Sequence, residues 1–306
     1  MKNSIAYHIP VMLQPCLDGL QIRPDGVYVD VTFGGGGHSR AIWEQLSDKG
    51  RLVAFDQDPD AQQNTWSAPN FSFVASNFAH LKNQLRFLGI KQVDGILADL
   101  GVSSHQFDAP QRGFSIREDA PLDMRMNPLA GISAKDFLAT ANEELLAQVF
   151  KNYGEVNNAW KLALEIVRQR ANQPVETTGQ LMEILRPFAP KFKEHKYFAQ
   201  VFQALRIEVN QEMETLKAFL EQAADVLKPE GRLVVMSYHS LEDRLVKNFM
   251  KRGSFSGDIT KDFFGNILKP LEEVVRHPIV PTEEELAINN RSRSARLRIA
   301  SKSANV

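Results

Sequence analysis

Short apolar runs alternate with helical patterns over the first hundred residues of the chain. Between the runs, segments such as 39–46 and 80–88 repeat apolar residues at helical spacing. The runs are rich in β-branched and aromatic residues, as buried strands are, and lie at 27–32, 51–56, 71–75 and 93–100. This alternation predicts an α/β fold with a doubly wound, mostly parallel, Rossmann-like sheet.

The strand pattern stops after the first hundred residues and returns only in the last third of the chain. Apolar residues repeat at helical spacing through 145–185, and a long amphipathic helix is predicted over 198–216. Strand patterns return at 232–238 and 291–299. The predicted organisation is a first sheet segment, an all-helical insert and a second sheet segment, at 1–103, 104–212 and 213–306.

Four consecutive glycines, Gly34 to Gly37, follow the first predicted strand and precede a predicted helix. Glycine permits a positive φ and lets a ligand approach the backbone closely. The start of a helix offers unpaired N–H groups to a polar ligand. The pattern therefore predicts a ligand-binding turn, with a simple tight turn as the alternative. His38 comes next, and we expect it to be neutral because the helix dipole disfavours a cation there.

Polar residues around this turn separate the candidate ligands. A dinucleotide fingerprint needs a third glycine, but Ser39 stands at that position. Asp30 would repel a pyrophosphate, whereas it suits the cationic groups of S-adenosylmethionine. Asp56 ends the next strand, where a carboxylate can bind ribose hydroxyls, and both candidate cofactors contain a ribose. S-adenosylmethionine is the favoured cofactor, and a nucleotide-dependent oxidoreductase is the alternative.

The composition is that of an ordinary globular protein, with 43% hydrophobic and 24% charged residues. The net charge of −1 gives no bulk attraction to nucleic acid, so such binding needs local patches. No apolar run approaches the roughly 20 residues of a membrane span. The single cysteine, Cys16, cannot form an internal disulfide, so we expect a cytoplasmic protein with no membrane partner. The seven histidines show no metal-ligand spacing, and no metal site is predicted.

Two basic clusters in the predicted insert are candidate phosphate contacts. The first lies in a long loop at 110–131, whose alternative role is a structural clasp over the sheet edge. The second lies at 186–196 and equally suits a solvated face. The residues considered for phosphate contact are Arg112, Arg117, Lys191 and Lys193.

Motifs along the whole chain resemble those of a known family. The most distinctive are Asp-Val-Thr-Phe-Gly-Gly-Gly-Gly-His at 30–38, Asp-Leu-Gly-Val-Ser-Ser at 99–104 and Ser-Tyr-His-Ser-Leu-Glu-Asp-Arg at 237–244. Further matching segments lie at 8–11, 55–59, 112–115, 121–126, 202–207 and 293–298. In order and spread, these motifs resemble the bacterial RsmH (MraW) family of small-subunit ribosomal RNA cytosine-N4 methyltransferases.

The resemblance implies a fold, a reaction and a site. The implied fold is a class I methyltransferase sheet interrupted by a helical substrate-recognition domain. The implied reaction is methyl transfer from S-adenosylmethionine to the exocyclic N4 of a cytosine in the decoding region of 16S ribosomal RNA, within the assembled small subunit. Carried over by motif, the cofactor contacts are Gly36, Gly37, His38, Asp56, Phe78, Asp99 and Gln106.

Three positions depart from the family pattern. Gly35 stands where many members have an arginine, and Asn290 replaces a common proline. Residues 195–201 differ from the Pro-Ala-Thr-Arg-Thr run of many members. The last departure leaves the RNA contacts of the insert open, but not the cofactor site.

The catalytic group is open between two candidates. Asp99 is the best-placed carboxylate to accept a hydrogen bond from the target amine, with Ser103 or Ser104 as polar partners. Its alternative role is to hold the cofactor only. His239 is the second candidate, with a structural or RNA-contact role as its alternative. A non-enzymatic RNA-binding protein is a further possibility for the whole chain, against which the full set of polar residues at the predicted sheet edge argues.

Overall fold

Seven strands form one mixed sheet in the computed structural model, which describes residues 10–304. The strands are β1 (Val27–Asp30), β2 (Arg51–Asp56), β3 (Phe71–Ala75), β4 (Val93–Asp99), β5 (Leu227–Ser237), β6 (Leu271–Glu273) and β7 (Arg296–Lys302). Their order is β3-β2-β1-β4-β5-β7-β6. Neighbours from β3 to β5 are parallel, and β7 runs antiparallel to both β5 and β6. The predicted mostly parallel sheet is confirmed.

Helices fill the connections between these strands and the long segment between β4 and β5. The α-helices of the described residues are α1 (Leu13–Leu20), α2 (Gly37–Trp43), α3 (Leu81–Phe87), α4 (Ser104–Asp108), α5 (Ala134–Thr140), α6 (Glu143–Gly154), α7 (Ala159–Arg170), α8 (Thr178–Leu185), α9 (Glu194–Val209), α10 (Glu212–Val226), α11 (Ser240–Arg252) and α12 (Glu283–Ile288). Short 3-10 helices lie at Pro59–Asn64, Phe78–His80, Pro110–Arg112, Arg186–Phe188 and Asn290–Ser294. Among the helices of residues 10–304, none combines the length and apolar character needed to cross a membrane.

Both faces of the sheet are covered, because its strands send alternate side chains to opposite sides. Val29 and Val53 join one buried cluster, which helices α3, α10 and α11 complete. Their neighbours Tyr28 and Leu52 join a second cluster with α1 and α2. Strands buried on both faces read as continuous apolar runs, which is why they stand out in the sequence.

The parallel strands bring their carboxyl ends to one edge of the sheet. Asp30, Asp56 and Asp99 end β1, β2 and β4, so the three carboxylates lie along this edge. The strand order reverses beside β1, whose neighbours are β2 and β4. Such a reversal opens a crevice outside the strand ends, where ligands of doubly wound sheets bind. Because β7 is antiparallel, its first residue, Arg296, pairs with Ser237 and reaches the same edge.

The contacts divide the chain into two compact units. Unit 1 contains the sheet and takes the described residues up to Gly101 and from Met213 on. Unit 2 is Val102–Glu212 and consists of helices and loops. It has its own buried core, to which Leu146, Phe150 and Leu205 belong.

The helix predicted over 198–216 is in fact two helices. α9 ends at Val209 and α10 begins at Glu212, and Gln211 between them has a positive φ of 50°. The Asn210 side chain donates to the Met124 carbonyl and accepts from the Met126 N–H, which fixes the chain at the break. The single-helix prediction is wrong because apolar residues continue at helical spacing across a break that tertiary hydrogen bonds create.

Candidate active site

The glycine turn has the backbone conformation that glycine permits. Gly36 caps α2 with a φ of 76°, and a Cβ there would lie 2.9 Å from Cζ of Phe33. A Cβ on Gly37 would lie 2.4 Å from Cγ of Pro10. At Gly35, by contrast, a Cβ would meet no atom within 4 Å. The turn therefore tolerates a side chain at Gly35 but not at the two positions that follow.

Asp30 holds this turn together from inside the protein. One of its carboxylate oxygens accepts hydrogen bonds from the Thr32 N–H and hydroxyl, and the other accepts one from the Ser39 hydroxyl at 2.6 Å. The Thr32 hydroxyl oxygen in turn accepts the backbone N–H of Asp99 at 2.7 Å. The end of β1, the start of α2 and the end of β4 are thus joined by one network. Both oxygens of Asp30 are occupied within the protein, which sequence reasoning missed.

Asp56 supports the turn from the end of β2. Its carboxylate accepts the N–H of Gly34 at 2.7 Å and the N–H of Asp58 at 2.8 Å. Burial raises the pKa of Asp56 to about 6, although these two hydrogen bonds act to lower it. Asp58 caps the following 3-10 helix by accepting the Asp60 N–H. The cap of this helix is therefore Asp58, whereas Asp56 hydrogen-bonds to the glycine turn.

Asp99 lies at the end of β4 beside a tyrosine. The Tyr238 hydroxyl donates to one Asp99 oxygen at 2.8 Å. Burial raises the pKa of Asp99 to about 6, which the His38 ring and the Tyr238 hydrogen bond oppose. Burial and the nearby Asp99 charge also raise the pKa of Tyr238, so its hydroxyl remains a proton donor at neutral pH. Tyr238 lies in one of the matching motifs, but the sequence suggested its neighbour His239, and not Tyr238, as a catalytic candidate.

His38 connects the turn to the N-terminal segment. It is buried as the second residue of α2, and its Nε2 lies 3.0 Å from the Val11 carbonyl. A carbonyl only accepts hydrogen bonds, so Nε2 carries a proton. The other ring nitrogen, Nδ1, lies 3.9 Å from an Asp99 oxygen. The helix-start position predicted for His38 is confirmed, while its neutral state stays a prediction.

Phe78 and Gln106 are the remaining predicted cofactor contacts. Phe78 is half-buried in a 3-10 helix after β3 and meets the ring of Phe219 edge-on, with the centroids 5.3 Å apart. Gln106 belongs to unit 2, where it forms a capping box with Ser103 at the start of α4. Its role as a cofactor contact stays a prediction.

His239 and Arg112 have structural roles that their sequence contexts did not reveal. His239 caps α11 in a capping box with Glu242, which agrees with the structural alternative for this residue. Arg112 is buried, and its guanidinium donates to the carbonyls of Arg125 and Met126. The hypothesis that Arg112 contacts phosphate is therefore wrong. The buried cation instead satisfies carbonyls of its own loop, while the clasp of this loop over the sheet edge stays a prediction.

The edge fits a cofactor that carries a ribose and a positive charge. Asp56 and Asp99 offer partly satisfied carboxylates on either side of β1, and the Asp99 side chain is 23% exposed. The turn between them is held by Asp30 and closed to side chains at Gly36. A sheet of this topology with acids on both sides of its reversal point has the architecture of a class I methyltransferase.

Comparison with known proteins gives the family. The MraW methylase family model matches residues 5–303. Ribosomal RNA small subunit methyltransferase H of Bacteroides fragilis strain YCH46 is 57% identical over 301 residues, which is 98% of this chain and 99% of that protein. The protein of the same name from Flavobacterium johnsoniae is 53% identical over 302 residues, covering 99% and 100% of the two chains. The chain belongs to the MraW methylase family and is an S-adenosylmethionine-dependent methyltransferase.

Proposed function

We propose that this chain transfers a methyl group to the exocyclic N4 of a cytosine in the decoding region of 16S ribosomal RNA. The relatives from Bacteroides fragilis and Flavobacterium johnsoniae, whose names specify small-subunit ribosomal RNA, support the substrate class. The observation that carries the chemistry is the Asp99 carboxylate, which is partly exposed at the sheet edge and hydrogen-bonded to Tyr238. An exocyclic amine needs such an acceptor beside the methyl donor.

The proposed cofactor contacts follow the geometry of the edge. Gly36 and Gly37 provide close approach to the backbone, and His38 provides a polar ring at the start of α2. Asp56 binds the ribose hydroxyls through the lone pairs that the Gly34 and Asp58 N–H groups leave available. Phe78 offers an aromatic edge or face to the adenine. When bound, S-adenosylmethionine supplies an electrophilic methyl group.

Asp99 has the properties of a hydrogen-bond acceptor for the amine. With a pKa of about 6 it is mostly ionised at neutral pH. Its bond from Tyr238 fixes one oxygen and leaves the other for the substrate. A hydrogen bond from the amine to that oxygen localises the nitrogen lone pair, which is otherwise delocalised into the cytosine ring. After transfer the nitrogen must lose one proton, and the ionised carboxylate is a suitable acceptor.

Unit 2 carries a basic and aromatic surface that suits ribosomal RNA. Lys191, Phe192 and Lys193 are consecutive and exposed, and Phe192 has no burial at all. Exposed cations between which an aromatic ring projects are typical of single-stranded nucleic-acid binding, where the ring stacks on a base. Arg117 is a further exposed cation, and its guanidinium lies 5.5 Å from the centre of the Phe107 ring. We propose unit 2 as the RNA-recognition part of the chain.

The substrate test compares three acceptors under the same conditions. Labelled S-adenosylmethionine is incubated with free cytidine, naked 16S ribosomal RNA and small subunits from a strain that lacks the enzyme. We expect transfer to the subunits, because a base must be both recognised and unstacked to reach the donor. Digestion and mass spectrometry should give N4-methylcytidine. Label on carbon 5 or on a ribose hydroxyl, or equal rates on cytidine and subunits, would overturn the proposal.

The role of Asp99 is tested separately with Asp99→Asn. An amide still accepts the Tyr238 hydrogen bond but cannot take a proton. We expect the rate of methyl transfer to fall at least a hundredfold, within the usual range for general base catalysis. Calorimetry distinguishes the two roles of Asp99. A normal rate combined with weak S-adenosylmethionine binding would instead assign Asp99 to the cofactor alone.

A further inference from the structure

A small cavity lies at the carboxyl edge of unit 1, on the side of β5 away from the glycine turn. It has a volume of about 260 Å³ and is lined by Tyr238, Ser240, Arg293, Ser294 and Arg296, among others. The antiparallel direction of β7 is the reason why arginines reach this edge. Arg296 is the first residue of β7 and pairs with Ser237, the last residue of β5. The C-terminal segment that carries Arg293 and Arg296 therefore lies beside the candidate active site.

The positive charges of the two arginines that line this cavity are not fully balanced by nearby acidic side chains. Arg293 is exposed, and within residues 10–304 its guanidinium has no hydrogen-bond or ion-pair partner. The Arg296 side chain is 54% exposed and lies 3.2 Å from one Asp243 oxygen. Asp243 is held more closely by the buried Arg298, at 2.7 Å. The nearby acid is thus largely neutralised by Arg298, and two cationic groups face the cavity.

The other acid close to the cavity is engaged elsewhere. Glu242 is buried and accepts the N–H groups of Tyr238 and His239 at the start of α11. Its second oxygen lies 3.1 Å from Nε2 of His239. The cavity therefore combines two guanidinium groups with the hydroxyls of Ser240 and Ser294, and no carboxylate of the described residues lines it. Guanidinium and hydroxyl donors converging on one small space suit a phosphate.

One wall of the cavity is shared with the candidate active site. Tyr238 lines the cavity, and its hydroxyl donates to Asp99 at 2.8 Å. A ligand phosphate in the cavity would therefore lie one side chain away from the carboxylate that receives the target amine. The volume of about 260 Å³ is below the roughly 300–1,000 Å³ of small-molecule sites, and it suits a phosphate with part of its sugar.

We propose that this cavity, the arginine cleft, binds a backbone phosphate of the RNA strand next to the target cytidine. The proposal rests on the proposed function, because it assigns the strand whose base reaches Asp99. Anchoring the neighbouring phosphate would hold the flipped nucleotide in register with the methyl donor. The arginine cleft is then a site that positions the substrate backbone and does not recognise the identity of a base.

Arg293→Ala is the test variant, because this side chain holds no other part of unit 1. Arg86→Ala is the matched control. Arg86 is also exposed, and it lies in the last turn of α3, whose chain then enters the amino end of β4 at the opposite edge of the sheet. The two variants lose the same charge and differ only in its place. Binding to a synthetic decoding-region RNA is measured over a range of salt concentrations.

We expect Arg293→Ala to weaken RNA binding about tenfold near physiological salt, the scale of one hydrogen-bonded ionic contact. The slope of log affinity against log salt should become shallower by about 0.7–0.9, the value for one phosphate contact. Arg293→Lys should recover part of the loss, and S-adenosylmethionine affinity should not change. Arg86→Ala should bind RNA like the parent protein. Equal affinities and slopes for Arg293→Ala and Arg86→Ala would overturn the proposal.

Changing the RNA in parallel identifies the contacted phosphate. Each phosphate flanking the target cytidine is replaced in turn by an uncharged methylphosphonate. One replacement should weaken binding to the parent protein about tenfold and have a smaller effect on Arg293→Ala, in which only Arg296 still faces the phosphate. Equal losses for both proteins at every position, or no RNA binding by the parent protein, would reject the arginine cleft. The methyl-transfer assay on subunits tests the proposed function independently, since it can succeed when this coupling is absent.

Discussion

Two raised carboxylate pKa values should make cofactor binding depend on pH. Burial raises the pKa of both Asp56 and Asp99 to about 6, and in the proposed site both act on the cofactor as ionised carboxylates. As the pH falls below 6 each takes up a proton, so S-adenosylmethionine affinity should fall up to tenfold per pH unit for each group. Calorimetry between pH 5 and 7.5 measures this slope. Asp56→Asn and Asp99→Asn should each remove about half of it, and a constant affinity would exclude both residues from binding.

The site residues differ in how far the sequence could predict their roles. Gly36 and Asp56 follow from local pattern, because a turn after a buried strand and an acid at a strand end need only their neighbours. Asp30 could be located but not interpreted, since its partners include Ser39 on the next helix. The Tyr238–Asp99 hydrogen bond joins residues that are far apart in the chain. They come together only because β4 pairs with β5.

Among the elements, the glycine turn offers the most direct test of the proposed cofactor site. Gly36→Val should abolish cofactor binding, because a branched side chain disfavours the φ of 76° and its Cβ would collide with Phe33. We expect a loss of about 1–3 kcal/mol in the free energy of unfolding, as for other strained backbone positions. Gly35→Ala is the control, since a Cβ there meets open space. Normal S-adenosylmethionine affinity in Gly36→Val would show that the turn does not contact the cofactor.

The loop around Arg112 should behave as a structural clasp. Arg112→Ala removes a buried cation that satisfies two loop carbonyls, so the free energy of unfolding should fall by about 2–3 kcal/mol. Arg117→Ala, five residues on, removes an exposed side chain and should change stability by less than about 0.5 kcal/mol. Urea unfolding of both variants measures the difference. If both variants unfold like the parent protein, Arg112 does not stabilise the loop.

Local pattern predicted the buried parallel strands β2, β3 and β4 well, but not the short strand β6 or the break before α10. β2, β3 and β4 start where the apolar runs start, because buried strands of a parallel sheet need apolar residues on both faces. β6 has only three residues, too few for a periodic signal, and no strand was predicted there. The break before α10 depends on Asn210 reaching Met124, a contact that no window of local sequence contains.

At the scale of the whole molecule, the separate buried core of unit 2 predicts two folding units. Residues 102–212, expressed alone, should fold into a helical domain, because the core of unit 2 is formed by its own residues. Within it, Leu146→Ala should lower the free energy of unfolding by about 2–5 kcal/mol, since Leu146 is fully buried. Leu145→Ala is the matched control, because Leu145 is 39% exposed. Circular dichroism during urea unfolding measures both. A fragment without cooperative unfolding would mean that unit 2 depends on the sheet.

The alternation of strands and helices, and its interruption, could be found in the sequence because each is a matter of periodicity. The meeting of residues from both ends of the chain at one edge of the sheet could not be predicted, because it depends on the strand order. Arg293 and Arg296 can be read from the sequence as cations, yet only the antiparallel pairing of β7 with β5 brings them near Tyr238.

The strand order also determines when each strand can pair with its neighbour during synthesis of the chain. β4 emerges from the ribosome with residue 99, but its neighbour β5 begins at residue 227, and β6 has no partner until β7 follows at 296–302. During this interval β4 presents an unpaired edge, which invites association with other nascent chains. Unit 2 is made in the same interval, and its local helical contacts form quickly. A slow translation step anywhere between β4 and β5 would therefore prolong the exposure of β4, and one at the end of unit 2 would also give its helices time to fold.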